Sequence, residues 1–221
     1  MPLSSVLGAA TVIRSGVVTS TTRPSSPYAG QLIYESDTNR LAAYNGSAWV
    51  TQNGLQLIAS QSVSGVSSFS FADSTFTSTY ECYRIVGSFT MNASGASQTV
   101  TMRLRASGTD NSNSEYITAN MRGSTAIAGA TASSSTTTSF LIVPAMTAPN
   151  RLNFDLTLYN PKATDYTAIS GTVSALQNNT DMFAIVPTGV MTVTTSYDSA
   201  TFTVTSGGFT GKYRVYGIAN N

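Results

Sequence analysis

Apolar and polar side chains alternate with a period of two along most of this 221-residue chain. The clearest case is residues 152–158, where Leu or Phe occupies every second position between polar neighbours. This period is typical of β-strands with one buried face, and no segment keeps the 3.6-residue apolar period of a helix over about ten positions. The sequence therefore predicts an all-β fold.

Residues 55–221 contain about ten such segments, with turn residues about every 8–15 positions, and this spacing predicts an antiparallel β-sandwich. The length of the region and its strand number favour an eight-stranded jelly roll with extra hairpins over a seven-stranded immunoglobulin sandwich. Residues 83–91 and 100–105 both alternate cleanly. We expect these two segments to form one antiparallel pair with a solvated face.

Two further segments give specific predictions. A strand over residues 115–121 is predicted to turn Ile117, Ala119 and Met121 inward, because these apolar positions share one face. Residues 123–139 consist almost entirely of Ala, Gly, Ser and Thr. Such low-complexity composition predicts a mobile loop.

Charged residues make up only 10% of the chain, against about 25% in typical soluble proteins. This composition suits stacked β-structure and lets large surfaces be buried between subunits without stranding charges. The net charge is +1, and no basic stripe is present, which argues against a nucleic-acid partner. Arg84, Arg103 and Arg105 are interpreted as solvated or paired arginines on strand faces.

The side chains that carry most enzyme chemistry are scarce. Histidine is absent and Cys82 is the single cysteine, which excludes His bases, His-ligated zinc or iron sites and an intrachain disulfide. Cys82 itself is interpreted as a small buried residue. Paired carboxylates, as in glycosidases, are the remaining route, but most acidic residues fall in turns or at outward strand positions. We therefore expect no enzymatic activity, no catalytic residues and no cofactor.

Residues 110–115 place oxygen-bearing side chains at several positions and faintly resemble a calcium loop. The segment lacks the glycine turn and the remaining ligands of that motif, so a polar turn is predicted and no metal site. No secretory signal is recognised at the N-terminus. No run approaches the roughly 18 apolar residues that a membrane span needs, and no membrane insertion is expected.

Residues 23–50 predict a small separate module. Pro24 and Pro27 favour an extended entry, and residues 31–35 then alternate as a strand. The run of Ser, Asp, Thr and Asn at residues 36–39 is turn chemistry.

A second strand is predicted over residues 40–44. Asn45 and Gly46 then predict a hairpin, because both residues tolerate positive φ, and residues 48–50 return as a third strand. The result is a three-stranded meander. Its aromatic residues are available to pack on one another, and they are Tyr34, Tyr44 and Trp49.

The sequence PSSPYAGQLIYESDTNRL at residues 24–41, followed by YNGSAW at residues 44–49, resembles a short module of tailed-bacteriophage virion proteins, mostly tail-fibre and minor tail proteins. The resemblance is close over residues 23–50. The remainder, which has YRVYGI at residues 213–218 near its end, is similar only in its Ser/Thr-rich β character. The resemblance implies a homotrimer made in the cytoplasm of an infected bacterium and exposed on the surface of the virion. It brings no catalytic residues.

The predicted organisation is an N-terminal arm (residues 1–22), an attachment meander (residues 23–54) and a jelly-roll-like sandwich (residues 55–221). The arm is either disordered or, as we prefer, ordered against neighbouring copies or another virion protein. The aromatic residues of the meander form either its own core and interface or a sugar-stacking platform. The residues expected at the attachment interface are Val12, Ile13, Val17, Val18, Tyr28, Tyr34, Tyr44 and Trp49.

Three functional hypotheses follow from the resemblance and the composition. The leading one is a short tail fibre or receptor-binding protein that recognises a host cell-surface glycan. The second is a capsid decoration (cement) or head-fibre protein, and the third is a carbohydrate-binding domain unconnected with virions. If a glycan is bound, surface loops of the sandwich are the expected sites, and the candidates are residues 107–114, 123–139 and 159–166.

Overall fold

The computed structural model describes residues 16–51, 54–92, 97–125, 127–147, 149–177 and 180–218, without the side chains of residues 127–133. These ranges contain seventeen β-strands and no helix. The prediction of an all-β fold is confirmed. The chain divides into two compact units, residues 1–53 and 54–221.

The first unit is a four-stranded sheet. Its strands are β1 (Gly16–Val18), β2 (Leu32–Glu35), β3 (Arg40–Tyr44) and β4 (Trp49–Thr51), arranged in the order β1-β2-β3-β4. Strands β2, β3 and β4 pair antiparallel, and β1 joins β2 in parallel. The predicted meander is therefore extended by one strand, which lies in the segment that the sequence assigned to the arm.

The turn between β3 and β4 shows how local chemistry sets the meander. Gly46 has φ of 102°, a value that a residue without a side chain adopts at no steric cost. The Asn45 side chain accepts hydrogen bonds from the backbone amides of Ser47 and Ala48 at 2.9 and 2.8 Å. Only Gly46 of the predicted pair takes a positive φ, because the loop has four residues and is held by the Asn45 side chain.

The second unit contains the remaining thirteen strands. The long strands are β5 (Leu55–Val66), β7 (Cys82–Met91), β8 (Ser97–Ala106), β10 (Tyr116–Ser124), β11 (Ile127–Thr137), β12 (Phe140–Thr147), β13 (Pro149–Tyr159), β14 (Ala168–Gln177), β15 (Asp181–Met191) and β17 (Phe209–Ile218). The short ones are β6 (Ser68–Ser70), β9 (Thr109–Asp110) and β16 (Ser199–Val204).

These strands form two sheets. The larger has eight strands in the order β11-β10-β15-β14-β13-β7-β17-β5, and the smaller has the order β12-β8-β16-β6 with β9 attached to β8. All pairs in both sheets are antiparallel. The two sheets share one hydrophobic core, so the prediction of an antiparallel β-sandwich is confirmed.

The pairing in the sandwich is nested along the chain. Strand β5 pairs with β17, β6 with β16, β7 with β13, and β8 with β12. Two hairpins interrupt this scheme, β10–β11 between β8 and β12, and β14–β15 between β13 and β16. Both hairpins extend the larger sheet on the far side of β13.

Aromatic rings fill the space between the sheets. Phe69 of the smaller sheet stacks on Phe89 and Tyr213 of the larger one, with ring centroids 5.5 and 4.9 Å apart. Phe154 and Phe202 stack across the same gap at 5.1 Å. Rings of this size bury a large apolar area and pack best in offset or edge-on contacts, which makes this cluster the centre of the fold.

The predicted pairing of residues 83–91 with residues 100–105 is wrong. Both segments are strands with the expected buried faces, but β7 lies in the larger sheet and β8 in the smaller one. Alternation defines which face of a strand is buried. It does not define which strand lies beside it.

Two further predictions are wrong. Residues 123–139 are not a loop, because Ile127–Thr137 forms strand β11 and pairs with β10. Strand β10 also presents the opposite face, since Ile117 and Met121 are exposed and Tyr116 is fully buried. The Tyr116 hydroxyl accepts a hydrogen bond from the Leu104 amide and donates one to the Asn111 carbonyl, both at 3.0 Å.

Candidate functional site

The sheet of the first unit has one buried and one exposed face. Ile33, Glu35 and Ala42 lie on the buried face, each no more than 1% exposed. The opposite face carries large apolar side chains that are 41–70% exposed. We call this surface the apolar face of the first unit, and its exposed residues are Val17, Leu32, Leu41 and Val50.

A buried carboxylate holds the incoming chain against this sheet. Glu35 accepts a hydrogen bond from Arg23 Nε at 2.5 Å and another from the Thr38 hydroxyl at 2.8 Å. The hydrogen bond from Arg23 is the main reason that the pKa of Glu35 lies below its ordinary value. The paired carboxylate stabilises the fold because its charge is satisfied on both oxygens.

The predicted attachment residues are distributed over several environments. Val12 and Ile13 lie outside the described residues. Val17 is 70% exposed in β1 and takes part in the apolar face, whereas Val18 is half-buried. Tyr28, in the loop before β2, is 70% exposed.

The three aromatic residues of the meander do not form one cluster. Tyr44 and Trp49 contact each other with ring centroids 5.4 Å apart and planes tilted by 56°. Tyr34 pairs with Leu41 in the register and lies on the apolar face, and its hydroxyl donates to Asn39 Oδ1 at 2.9 Å. The expected packing of all three is wrong because the register places Tyr34 and Tyr44 on opposite faces of the sheet.

In the second unit, exposed apolar side chains concentrate on one surface. We call the side of the eight-stranded sheet that is turned away from the core its outer face. Of the large apolar residues that are exposed in the described part of this unit, all but Tyr166 lie on strands of this face. They are Leu55, Leu57, Ile117, Met121, Tyr159, Met182 and Val186.

A shallow depression of about 470 Å³ lies in the middle of the outer face. Its floor is made by short side chains on four adjacent strands, and these are Val86, Ser88, Asn153, Asp155, Thr172, Ser174 and Ala184. The depression exists because β14 presents only Ser and Thr here and β15 presents Ala184 beside Ser174. The sequence predicts recognition on loops and gives no sign of this surface, which could be found only from the register of β14 between β13 and β15.

Polar contacts fix the side chains of this depression. Arg84 donates two hydrogen bonds to the Asp155 carboxylate, with Nε to Oδ1 at 2.8 Å. This contact lowers the pKa of Asp155 and raises that of Arg84. The Ser88 hydroxyl donates to Asn153 Oδ1 at 2.7 Å.

Two acidic residues of the sandwich, Asp73 and Asp198, lie beside the same serine hydroxyl. The buried Ser199 hydroxyl lies 3.4 Å from Asp73 Oδ1 and 3.1 Å from Asp198 Oδ1. Asp73 is exposed and Asp198 is half-buried. The Asp198 carboxylate also accepts a hydrogen bond from the Ser107 amide at 3.0 Å, which anchors the turn after β8.

The side chains of the predicted polar turn at residues 110–115 bond to one another. Asn111 and Asn113 both donate to the Glu115 carboxylate, at 2.8 and 3.3 Å. In the described part of the chain, no group of three His, Cys, Asp or Glu residues is arranged to hold a metal ion. Cys82 is half-buried, and burial together with the charge of Glu81 raises the pKa of its thiol, which disfavours the reactive thiolate.

No protein-family model, curated protein or solved structure matches this chain. Within the described ranges there is also no helix with the length and hydropathy needed to cross a bilayer. The resemblance of residues 24–41 and 44–49 to virion proteins therefore stays a prediction from the sequence.

Proposed function

We propose that this chain is a non-enzymatic structural protein of a tailed-phage virion, namely a short tail fibre or receptor-binding protein. The first unit attaches it to the particle, and the second unit is displayed towards the host surface. The virion assignment depends on the motifs at residues 24–41 and 44–49, and the observation that carries the attachment role is the apolar face of the first unit, an exposed surface with four large apolar side chains. Exposed apolar patches of this kind mark protein–protein contacts.

The architecture of the second unit supports a display role. Its nested strand pairs support our proposal that the sandwich is a jelly roll with two inserted hairpins. Jelly rolls serve in viral capsid and lectin domains. The resemblance further leads us to propose a homotrimer as the assembled form.

The attachment role is tested by substituting an exposed residue of the apolar face. The particles are assembled with the variant as the only form of this protein, and its incorporation is measured. Leu41→Ser should reduce incorporation about tenfold or more, because an interface that buries a leucine loses that apolar contact. Leu57→Ser is the matched control, since Leu57 is equally exposed in the second unit. Equal incorporation of both variants and the unchanged protein would contradict attachment through the apolar face.

Copy number in purified particles separates the fibre from capsid decoration. A fibre occupies one or a few symmetric tail positions, whereas a decoration protein is present on the order of hundreds of copies, following the capsomers. Binding of the purified trimer to host cells tests recognition directly. A folded protein that is absent from particles but binds glycans would support the third hypothesis, a carbohydrate-binding domain unconnected with virions.

A further inference from the structure

We propose that the depression on the outer face of the eight-stranded sheet binds an anionic, hydroxyl-rich polymer, with Lys212 and Arg214 contacting its negative groups. This inference rests on the proposed function and names the chemical class of the receptor. It also assigns recognition to a sheet face rather than to loops.

The charge distribution is the first argument. Lys212 and Arg214 are exposed, and the register places them directly beside Ser88 and Val86 of the depression. Neither cation forms an ion pair within the described residues. Arg84 and Arg151 lie on the same face. Asp155 is the one acidic residue of the central strands β7, β13 and β17. Four cations and one carboxylate give this region a local charge of +3, although the whole chain carries only +1.

The order of side chains across the strands is the second argument. One row runs from Lys212 through Ser88, Asn153 and Ser174 to Ala184. The five strands in this row, at about 4.8 Å spacing, span about 19 Å. The row therefore offers a cation at one end, hydroxyl and amide groups in the middle, and an apolar end.

A second row lies parallel to the first and also has a cation at one end and a hydroxyl group further along. It runs from Arg214 through Val86 and Asp155 to Thr172. Beside its far end, Val186 and Met121 form an exposed apolar pair. Sugar rings have apolar faces and hydroxyl edges, and Ser, Thr and Asn side chains can both donate to and accept from hydroxyls.

A second copy of this chain is a poorer occupant of the same surface. A two-fold contact is formed by the same patch on both subunits, so the local charge of +3 on each copy would lie in one interface. Like charges in an interface are unfavourable. The cations beside the depression instead favour a partner that brings negative charge.

The experiment measures binding of the full chain to immobilised polymers. The probes are polygalacturonate for carboxylate groups, poly(glycerol phosphate) for phosphodiester groups, and dextran as the neutral polymer. We expect binding to at least one anionic polymer, weaker binding at higher salt, and no binding to dextran. The anionic probe that binds identifies the source of the charge.

Two variants test the location. Lys212→Gln/Arg214→Gln should weaken binding about tenfold or more, since two exposed charge contacts are lost. Thr172→Trp should abolish binding without a change of charge, because the indole fills the depression. The control is Lys162→Gln/Arg103→Gln, which removes the same residue types from half-buried positions away from this face. It should bind like the unchanged protein when circular dichroism shows that it is folded.

Several outcomes would overturn the inference. They are failure of the unchanged protein to bind either anionic polymer, equal loss in the control variant, and tighter binding to duplex DNA than to the two anionic polymers. A changed oligomeric state of Lys212→Gln/Arg214→Gln in sedimentation would show that the face lies between copies. If host cells bind both this variant and the unchanged protein equally, the inference fails while the proposed function stands. Absence of the protein from particles overturns the proposed function instead.

Discussion

Glu35 shows how one residue stabilises a small unit with little core of its own. Its side chain is 1% exposed and is held by Arg23, which is itself 36% exposed. A buried carboxylate is tolerated when hydrogen-bonded donors satisfy it, and the loss of such a partner is costly. The contact therefore ties the loop before β2 to the buried face of the sheet.

The lowered pKa of Glu35 predicts an acid-sensitive first unit. Because the folded pKa lies below the ordinary value of 4.5, the stabilisation is complete above that value and is lost as the pH falls through the folded pKa. The pKa of Asp37 is also lowered, chiefly by the hydrogen bond from Ser20, and contributes in the same direction. Urea unfolding followed by Trp49 fluorescence should thus show a falling midpoint below about pH 4.5.

Glu35→Gln is the test of that assignment. Trp49 is the only tryptophan in the chain, so its fluorescence reports the first unit alone. The variant should lose stability at neutral pH and show a flatter response to acid, with the remaining slope due to Asp37. An unchanged acid response in Glu35→Gln would assign the effect to other groups.

Tyr116 gives a second prediction at the same scale. Its hydroxyl is buried and bonds to two backbone groups, so Tyr116→Phe should lower the free energy of unfolding by about 1–3 kcal/mol. Tyr159→Phe is the matched control, because Tyr159 is 39% exposed and its hydroxyl contacts Ser170 at 3.3 Å. Denaturant unfolding followed by circular dichroism measures both. Equal effects would contradict the anchoring role of Tyr116.

At the scale of elements, the turn between β3 and β4 is a defined weak point. Gly46→Val should destabilise the first unit by about 1 kcal/mol or more, because a branched residue is strained at positive φ. Gly54→Val is the control, since Gly54 has no positive φ and its Cβ would meet no atom within 4 Å. Trp49 fluorescence measures the first unit, and circular dichroism should show an unaffected sandwich. Simultaneous unfolding of both units in Gly46→Val would contradict their independence.

The existence of most strands could be predicted from the sequence, since alternation is visible wherever large apolar residues face the core. It fails where the side chains are small, as in β11, whose Ala, Ser and Thr residues have no visible alternation and yet pair along the whole of β10. In β10 both faces carry apolar residues. Tyr116 and not Ile117 faces the core, where the Phe140 ring packs edge-on against Tyr116 with ring centroids 4.8 Å apart.

The sequence predicts the local structure of the first unit but neither of the two candidate surfaces. The meander and its hairpin follow from local turn chemistry, but the apolar face depends on which side of β2 is covered, and the strand itself has apolar residues on both sides. The depression on the outer face joins Lys212 to Ser88 and Asn153, which are far apart in the chain. Only the strand order brings them together.

At the scale of the whole molecule, the two units are expected to fold independently. The aromatic core of the sandwich consists entirely of residues after position 54. A chain of residues 54–221 should therefore keep its thermal unfolding midpoint within about 2 °C of the same transition in the full protein. Calorimetry of both chains checks this. Loss of the cooperative transition in the shorter chain would show that the sandwich needs the first unit.

The two inserted hairpins and the nested strands have different structural roles in the sandwich. Both enter at connections of the nested scheme and widen the same sheet, while the ring cluster between the sheets is built by the nested strands. Substitutions on the outward side of β10, β14 and β15 can thus accumulate with little cost to folding. Selection for binding to a partner that itself changes could therefore substitute the residues of that surface one at a time, while the fold stays the same.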